Sequence, residues 1–228
     1  GRDVASMPIH VSIVEAMGRN AGWITAASAL ARQKEGDAPH LIYLPERPFC
    51  KEEFLADVQR IHKERGYVVV VASEGLKDEA GNPIVDPIFT TDRAVYFGDV
   101  GTHLATLVIK ELGIKARSEK PGIFGRSSIQ WQSVVDREEA VRSGKLAVQS
   151  AIDGTSGYMV GLKRPGDDPY WCETVLIPIK EVMLYEKELP GSYINEQGND
   201  VTDDFFRYAT PLIGGELPAF FELREEDI

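Results

Sequence analysis

The chain has 228 residues, 43% of them hydrophobic, which is enough for an apolar core without metal or disulfide support. Lys and Arg number 25 against 36 Asp and Glu, and this net charge of -11 disfavours nucleic acid as a partner. The two cysteines, Cys50 and Cys172, lack zinc-ligand spacing, and no apolar run approaches the ~20 residues of a membrane span, so we expect a soluble, cytoplasmic protein.

Strand and helix patterns alternate in the first third of the chain. "PIHVSIVEA" predicts a strand buried on both faces, and "NAGWITAASALARQK" favours a helix. "HLIYLP" predicts a second strand, and the next helix carries Phe54, Val58 and Ile61 on one face and should end near Gly66. "YVVVVASEG" gives the strongest strand pattern. The order predicts an α/β fold, a Rossmann-like three-layer sandwich with a largely parallel sheet.

The middle of the chain contains a predicted loop and two predicted helices. Turn formers in "KDEAGNPIVDP" predict a long loop from Leu76 to Val95. A helix should follow and end at Gly113, with one apolar side made of Leu104, Leu107, Val108 and Leu112. "IKARSEKPGIFGRSS" then predicts a short strand and a glycine-containing loop. The second helix, in "SVVDREEAVRSGKLAVQSAIDG", carries an apolar stripe of Val141, Val148 and Ile152.

The C-terminal part predicts a small extension. "GYMVGLKR" and "ETVLIPI" predict a β-hairpin, and the helix in "NDVTDDFFRYATPLIGG" should begin at Asp or Thr and stop at Pro211. We expect residues 1–154 to form the α/β domain and residues 155–228 to form an extension packed on it. Because the chain opens with "GRDVASMPIH", without an initiator Met, we interpret it as a candidate fragment of something longer.

Candidate ligand-binding residues follow the predicted strands, at the ends where ligands bind in open α/β sheets. Met17, Gly18 and Arg19 come after the first strand and before a helix, whose N-terminus favours a phosphate. Glu74 comes at the end of the valine strand.

Two further arginines follow the predicted strand that begins at Ile114. Arg117 comes first, and Arg126 lies in the glycine-bracketed loop "GIFGRSS". We expect both on the same side of the sheet as Arg19 and Glu74. A carboxylate for hydroxyls and several arginines for phosphate make a phosphosugar site.

Each of these residues also has an ordinary structural interpretation. Arg19 taken alone is more often a solvated surface residue, Glu74 could accept hydrogen bonds within its own turn, and Arg126 could pair with a carboxylate. The histidines are scattered through the sequence, so we expect no metal cluster; they are His10, His40, His62 and His103.

The segments "VSIVEAMGRNAGW", "LIYLPE", "VVVVASEG", "KARSEKPGIFGRSS" and "VVDREEA" resemble, in order and spacing, the phosphofructokinase family and its pyrophosphate-dependent members over roughly the first 150 residues. The resemblance implies that Met17 and Gly18 contact fructose 6-phosphate and that Arg19 lies near the phosphoryl group that is being transferred. It implies that Glu74 binds sugar hydroxyls and that Arg126, where the family usually has Gln-Arg-Gly, holds the 6-phosphate.

The resemblance also implies an oligomer. Arg117 matches an arginine that typically reaches the 6-phosphate from a neighbouring subunit, so a homodimer or homotetramer is expected. Two positions depart from the family pattern. His10 stands where another cross-subunit arginine is often found, and Ile123 stands where many members have His. Both departures remove possible phosphate donors.

Other family motifs are absent from this sequence. It contains no Gly-Gly-Asp loop, which the family uses for the phosphoryl donor, and no Thr-Ile-Asp-Asn-Asp-like motif, which carries the base. The resemblance therefore implies the sugar-phosphate half of a phosphotransferase, acting with magnesium and with pyrophosphate or ATP as donor.

Two other classes of function remain open at this point. A phosphosugar-binding or regulatory module without chemistry of its own is the main alternative. A dinucleotide-binding domain on the same sheet topology is disfavoured because no GxGxxG fingerprint follows any predicted strand.

Overall fold

The computed structural model describes residues 1–91, 95–167 and 169–217. The chain forms two compact units. The first comprises Gly1–Ser128 and Leu184–Phe206, and the second comprises Ile129–Met183 and the residues from Arg207 onward. The boundary predicted between residues 154 and 155 is not a border of either unit. As a division between family domain and extension, it stays a prediction.

The first unit is built on a parallel sheet. Its strands are β1 (Val11–Ala16), β2 (Leu41–Tyr43), β3 (Val68–Ser73), β4 (Pro87–Thr90), β5 (Val95–Phe97) and β6 (Ala116–Glu119). Its helices are α1 (Arg2–Ser6), α2 (Trp23–Ala27), α3 (Lys51–Arg65), α4 (Val100–Leu112) and α5 (Phe124–Ser127). Four strands pair in parallel in the order β2-β3-β1-β6.

This strand order places helices on both faces of the sheet. The chain passes from β1 over β3 to β2, then returns to β3 and moves on to β6. Since parallel crossovers are right-handed, α2 covers one face, while α3 and α4 cover the other. Contacts between α3 and α4 agree with this arrangement. The predicted α/β fold is confirmed.

Helix α3 shows how the sequence specifies these elements. Phe54, Val58 and Ile61, predicted to share a face, are all buried. Acidic residues occupy its first turn and basic residues its last turn, which complements the helix dipole. The helix ends at Gly66, whose φ of 79° is the left-handed conformation that favours glycine. Helix α4 ends in the same way at Gly113, as predicted.

The hydrophobic core lies between the sheet and helices α3 and α4. Its members are mainly valine, leucine and isoleucine, and three aromatic rings join them. The ring centroids of Tyr43, Phe49 and Phe54 lie within 5.7 Å of one another. Every residue of β3 is buried, which explains its unbroken run of valines.

Two segments of the first unit differ from the predictions. Strands β4 and β5 pair antiparallel where a loop was predicted from Leu76 to Val95, because the short β-forming runs "IFT" and "VYF" follow the turn formers. Residues 92–94 of that loop lie outside the described residues. The predicted helix after β1 is also shorter, since α2 gives way to a 3-10 turn over Ser28–Ala31.

The second unit contains the predicted long helix and hairpin. Its elements are α6 (Val134–Ile152), β7 (Tyr158–Asp167), β8 (Tyr170–Pro178) and α7 (Ile179–Val182). Strands β7 and β8 pair antiparallel, which confirms the hairpin. The apolar stripe of α6 is exposed, with Val148 62% and Ile152 74% accessible. Glu139 is instead the buried residue of α6 and accepts a hydrogen bond from the Tyr170 hydroxyl at 2.5 Å.

The last described helix is α8 (Asp203–Ala209), and a 3-10 turn over Thr210–Ile213 follows it. The predicted start at Asp is confirmed, while the helical path continues past Pro211 as a 3-10 turn. Among the helices in the described ranges, none has both the length and the apolar character needed to cross a membrane.

Candidate functional site

The ends of β1 and β3 bring two of the predicted site segments together. Ala16, the last residue of β1, pairs with Ser73, the last residue of β3. The N–H of Glu74 donates to the carbonyl of Ala16 at 3.0 Å, so the pairing continues one residue past the strands. The segment that begins at Met17 and the turn that begins at Glu74 therefore leave the sheet side by side, at the edge where ligands bind in α/β folds.

Gly18 is held by the end of β3 from two directions. Its N–H donates to Oε1 of Glu74 at 3.3 Å, and its carbonyl accepts from the fully buried Ser73 hydroxyl at 2.7 Å. Gly18 has a φ of 119°, a conformation that residues with a side chain rarely adopt. The predicted neighbours Gly18 and Glu74 are thus in direct contact, and the contact orients the Glu74 carboxylate.

Gly75 is a site residue that the sequence analysis missed. A Cβ added at Gly75 would overlap with the backbone carbonyl of Arg19. Its N–H also donates to the Ser73 hydroxyl at 3.0 Å. The two backbones can approach this closely only because position 75 is glycine. The "SEG" sequence after a strand was the available signal.

Arg19 and Arg126 both present guanidinium groups to solvent. Arg19 is exposed in the segment after β1, and Arg126 is exposed in α5. Within residues 1–91, 95–167 and 169–217, neither guanidinium makes a hydrogen bond or an ion pair. No hydrogen bond joins Arg126 to the pair formed by Gly18 and Glu74 in these ranges. Their predicted convergence on one ligand therefore stays a prediction.

Arg117 lies elsewhere in the sheet than predicted. It is the second residue of β6 and pairs with Ser12 near the start of β1, far from the end that carries Gly18. Its guanidinium forms ion pairs with Asp3 at 2.7 Å and Glu119 at 3.1 Å. The expectation that Arg117 lies at the same edge as Glu74 is wrong, because the register of β6 places it near the amino end. Its assigned contact with a neighbouring subunit's phosphate stays a prediction.

A buried carboxylate organises the adjacent strand end, and the sequence analysis missed it as well. Glu15 is only 3% exposed, accepts from the N–H of Gly101 at the start of α4 at 2.8 Å, and pairs with Lys120 at 2.7 Å. Lys120 also bonds Asp99 at 2.6 Å. Burial works against the charged ammonium, but these hydrogen bonds outweigh it and raise the pKa of Lys120. The cluster fixes the start of the segment that leads from β6 to Arg126.

The two departures from the family pattern lie in different places. His10 precedes β1 at the amino end of the sheet, and its ring packs edge-on against His62 at 5.4 Å between centroids. Ile123 is 66% exposed, just before α5. His10 lacks the guanidinium, and Ile123 lacks the imidazole, that the family pattern has at these positions.

Magnesium is the metal that the resemblance implies. Within the described residues, no three or more His, Cys, Asp or Glu side chains are grouped so that they could hold a metal ion. Because Mg²⁺ is commonly bound by one or two carboxylates together with substrate phosphates, the expected magnesium stays a prediction.

The profile of the family described as phosphofructokinase matches residues 2–151. A curated relative, the pyrophosphate--fructose 6-phosphate 1-phosphotransferase of Xanthomonas campestris, is 40% identical over 221 residues, which make up 95% of this chain and 53% of the relative. The chain spans about half the length of the curated relatives it matches.

Two crystal structures of pyrophosphate-dependent phosphofructokinases are similar to this chain. The protein from Marinobacter aquaeolei has a TM-score of 0.80 and 37% identity, and the match covers 97% of this chain and 53% of that one. The protein from Nitrosospira multiformis has a TM-score of 0.81 and 33% identity, and the match covers 100% of this chain and 55% of that one. Since the family profile covers well over half of the residues, the chain belongs to the phosphofructokinase family.

Proposed function

We propose that this chain is the sugar-phosphate half of a 6-phosphofructokinase that transfers a phosphoryl group to the C1 hydroxyl of fructose 6-phosphate in glycolysis. The observation that carries the proposal is the contact between Gly18 and Glu74 beside the exposed guanidinium of Arg19. It combines an acceptor for sugar hydroxyls with a cation for a phosphoryl group. The relatives named for this reaction support the same assignment.

The side chains of the site have separate roles in this proposal. Oε1 of Glu74 is held by Gly18, which leaves Oε2 to accept from a sugar hydroxyl. Met17 and Gly18 contact the sugar, and Arg126 holds the 6-phosphate through charge-assisted hydrogen bonds. Arg19 faces the transferring group and neutralises its developing negative charge.

The reaction exchanges one P–O bond for another. The C1 oxygen bonds to phosphorus as the bond to the leaving phosphate or ADP breaks, and the hydroxyl proton passes to a base. This chain supplies no Thr-Ile-Asp-Asn-Asp-like base motif, so a second half of the protein must provide it. Catalysis by the residues described here consists of positioning and charge stabilisation.

We propose pyrophosphate as the donor because four curated relatives, each matched over at least 94% of this chain, are named for pyrophosphate. ATP is the alternative, since a relative named as ATP-dependent is matched over 82% of this chain. Magnesium acts in the intact enzyme, held at least in part by groups outside the described residues. The enzyme is cytoplasmic and is a homodimer or homotetramer, in which Arg117 reaches a neighbouring subunit's 6-phosphate.

Arginine substitutions in the intact enzyme test the proposal. Arg126→Ala should weaken fructose 6-phosphate binding by about 1.5 to 3 kcal/mol, the range for a charge-assisted contact, and raise KM accordingly. Arg19→Ala should mainly lower kcat, because its contact strengthens in the transition state. Steady-state kinetics with pyrophosphate and with ATP measure both effects and identify the donor.

A matched control is Arg60→Ala, which removes an exposed guanidinium paired with Asp57 on α3. It should leave both kinetic constants unchanged. An Arg126→Ala enzyme with the parent's KM would contradict the role of Arg126. An intact protein that binds the sugar phosphate but transfers nothing from either donor would favour the non-catalytic module instead.

A further inference from the structure

A segment near the end of the first unit runs beside the residues that carry Arg19. We call Gly18–Trp23 the arginine loop and Glu186–Leu189 the strap. The side-chain amide of Asn20 donates to Oε1 of Glu186 at 3.1 Å. The indole N–H of Trp23 donates to the carbonyl of Lys187 at 2.6 Å, and the Lys187 ammonium lies 5.9 Å from the centre of the Trp23 ring.

Glu46, just after β2, connects the arginine loop to the strap through one atom. Its Oε1 accepts from the N–H of Gly22 at 2.8 Å and from the N–H of Leu189 at 2.9 Å. Both donors are buried, and in the part of the chain that the structure describes neither has another acceptor, so each would be left unpaired there if the carboxylate were removed. The two segments, far apart in sequence, therefore share one acceptor atom.

The surroundings of Gly22 are built for this contact. A Cβ added at Gly22 would come within 2.9 Å of the Leu44, Pro45 and Glu46 side chains. Oε2 of Glu46 is buried without a hydrogen-bond partner among the described residues. Burying a carboxylate oxygen in this way is unfavourable, whereas the two hydrogen bonds accepted by Oε1 are favourable.

Together with the contacts at the sheet edge, these bonds hold the arginine loop at both ends. Gly18 is fixed by Ser73 and Glu74, and Gly22 is fixed by Glu46. Between these anchors the Arg19 guanidinium remains exposed. Its position relative to a bound sugar thus depends on both anchors.

We propose that Glu46 is a positioning residue that locks the strap to the arginine loop and thereby sets where Arg19 stands during phosphoryl transfer. This role rests on the proposed function. Within the described residues, Glu46 bonds Gly22 and Leu189 and makes no hydrogen bond to Glu74 or Arg126, so its loss should affect turnover more than sugar-phosphate binding.

The test uses three variants of the intact enzyme. Glu46→Met keeps the length of the side chain and removes the acceptor, whereas Glu46→Gln keeps an acceptor oxygen. Glu64→Met is the control, since Glu64 lies in the last turn of α3 with a side chain 55% exposed. Steady-state kinetics give kcat and KM, and amide hydrogen exchange reports on the peptides that contain Gly22 and Leu189.

Glu46→Met should lower kcat by about tenfold or more, since small displacements of catalytic groups have large effects, and should change KM for fructose 6-phosphate by less than about threefold. Exchange should become faster in the arginine loop and in the strap together. Glu46→Gln should restore most of the turnover and of the protection, and Glu64→Met should match the parent.

Parental kcat in Glu46→Met would overturn the positioning role, and faster exchange in only one of the two segments would overturn the lock. A merely structural role would lower thermal stability without the selective loss of kcat. If the parent enzyme does not phosphorylate fructose 6-phosphate, the proposed function fails and the positioning role fails with it. The exchange measurement still decides whether the lock exists.

Discussion

Gly75 provides a sharp test of how the sheet edge positions Arg19. A Cβ added there would overlap with the backbone carbonyl of Arg19, while real Cβ atoms essentially never approach another heavy atom within 3.0 Å. The backbone of residue 75 determines the position of this Cβ, and the carbonyl of Arg19 is itself backbone, so no side-chain rotation relieves the overlap. One of the two segments must therefore move by on the order of 1 Å. Gly75→Ala should therefore reduce kcat of the intact enzyme by about 100-fold and cost about 1–3 kcal/mol of stability.

The assay compares kcat for fructose 6-phosphate and the free energy of unfolding with those of the parent. Gly144→Ala is the matched control, because a Cβ at Gly144 would meet open space inside α6. Alanine is the better helix former, so this control should gain about 0.5–1 kcal/mol and keep its kcat. A Gly75→Ala enzyme with parental turnover and stability would refute the close approach of the two backbones.

Two further predictions concern stability. Burial, and after it the nearby guanidinium of Arg65, lowers the pKa of His40 to about 4. Between pH 6.5 and about 4, the His40 imidazole therefore stays neutral in the folded protein but takes up a proton in the unfolded chain. Stability should therefore fall as the pH drops from about 6.5 toward about 4. His40→Asn keeps an acceptor for the Val69 N–H that the ring binds, and it should flatten this part of a plot of Tm against pH. Ser133 caps α6 by accepting from the N–H of Asp136 at 3.3 Å, so Ser133→Ala should cost about 1 kcal/mol in a denaturant titration. An unchanged pH profile in His40→Asn, or full stability in Ser133→Ala, would contradict these assignments.

The sequence predicted those features that depend on local pattern. Phe54, Val58 and Ile61 mark one face of α3, and Gly66 marks its end, because helical periodicity and the left-handed cap are both local properties. The neighbouring positions of Gly18 and Glu74 also followed from the sequence, since parallel strands deliver their carboxyl ends to one edge.

Features that depend on register or on distant contacts could not be predicted in this way. Arg117 lies near the amino end of the sheet because β6 pairs Ala116 with Val11, and nothing in the sequence gives that register. Glu15 has the appearance of an ordinary strand residue until α4 and Lys120 pack against it. Oε1 of Glu46 connects Gly22 with Leu189, which lie more than a hundred residues apart in sequence, so no local pattern could reveal this contact.

The most direct measurement is a crystal structure of the intact enzyme with fructose 6-phosphate bound. We expect a sugar hydroxyl within about 2.6–3.2 Å of the Glu74 carboxylate, a contact between Arg126 and the 6-phosphate, and Arg19 facing the C1 hydroxyl. A sugar phosphate bound away from the ends of β1 and β3, touching neither Glu74 nor Arg126, would contradict this expectation.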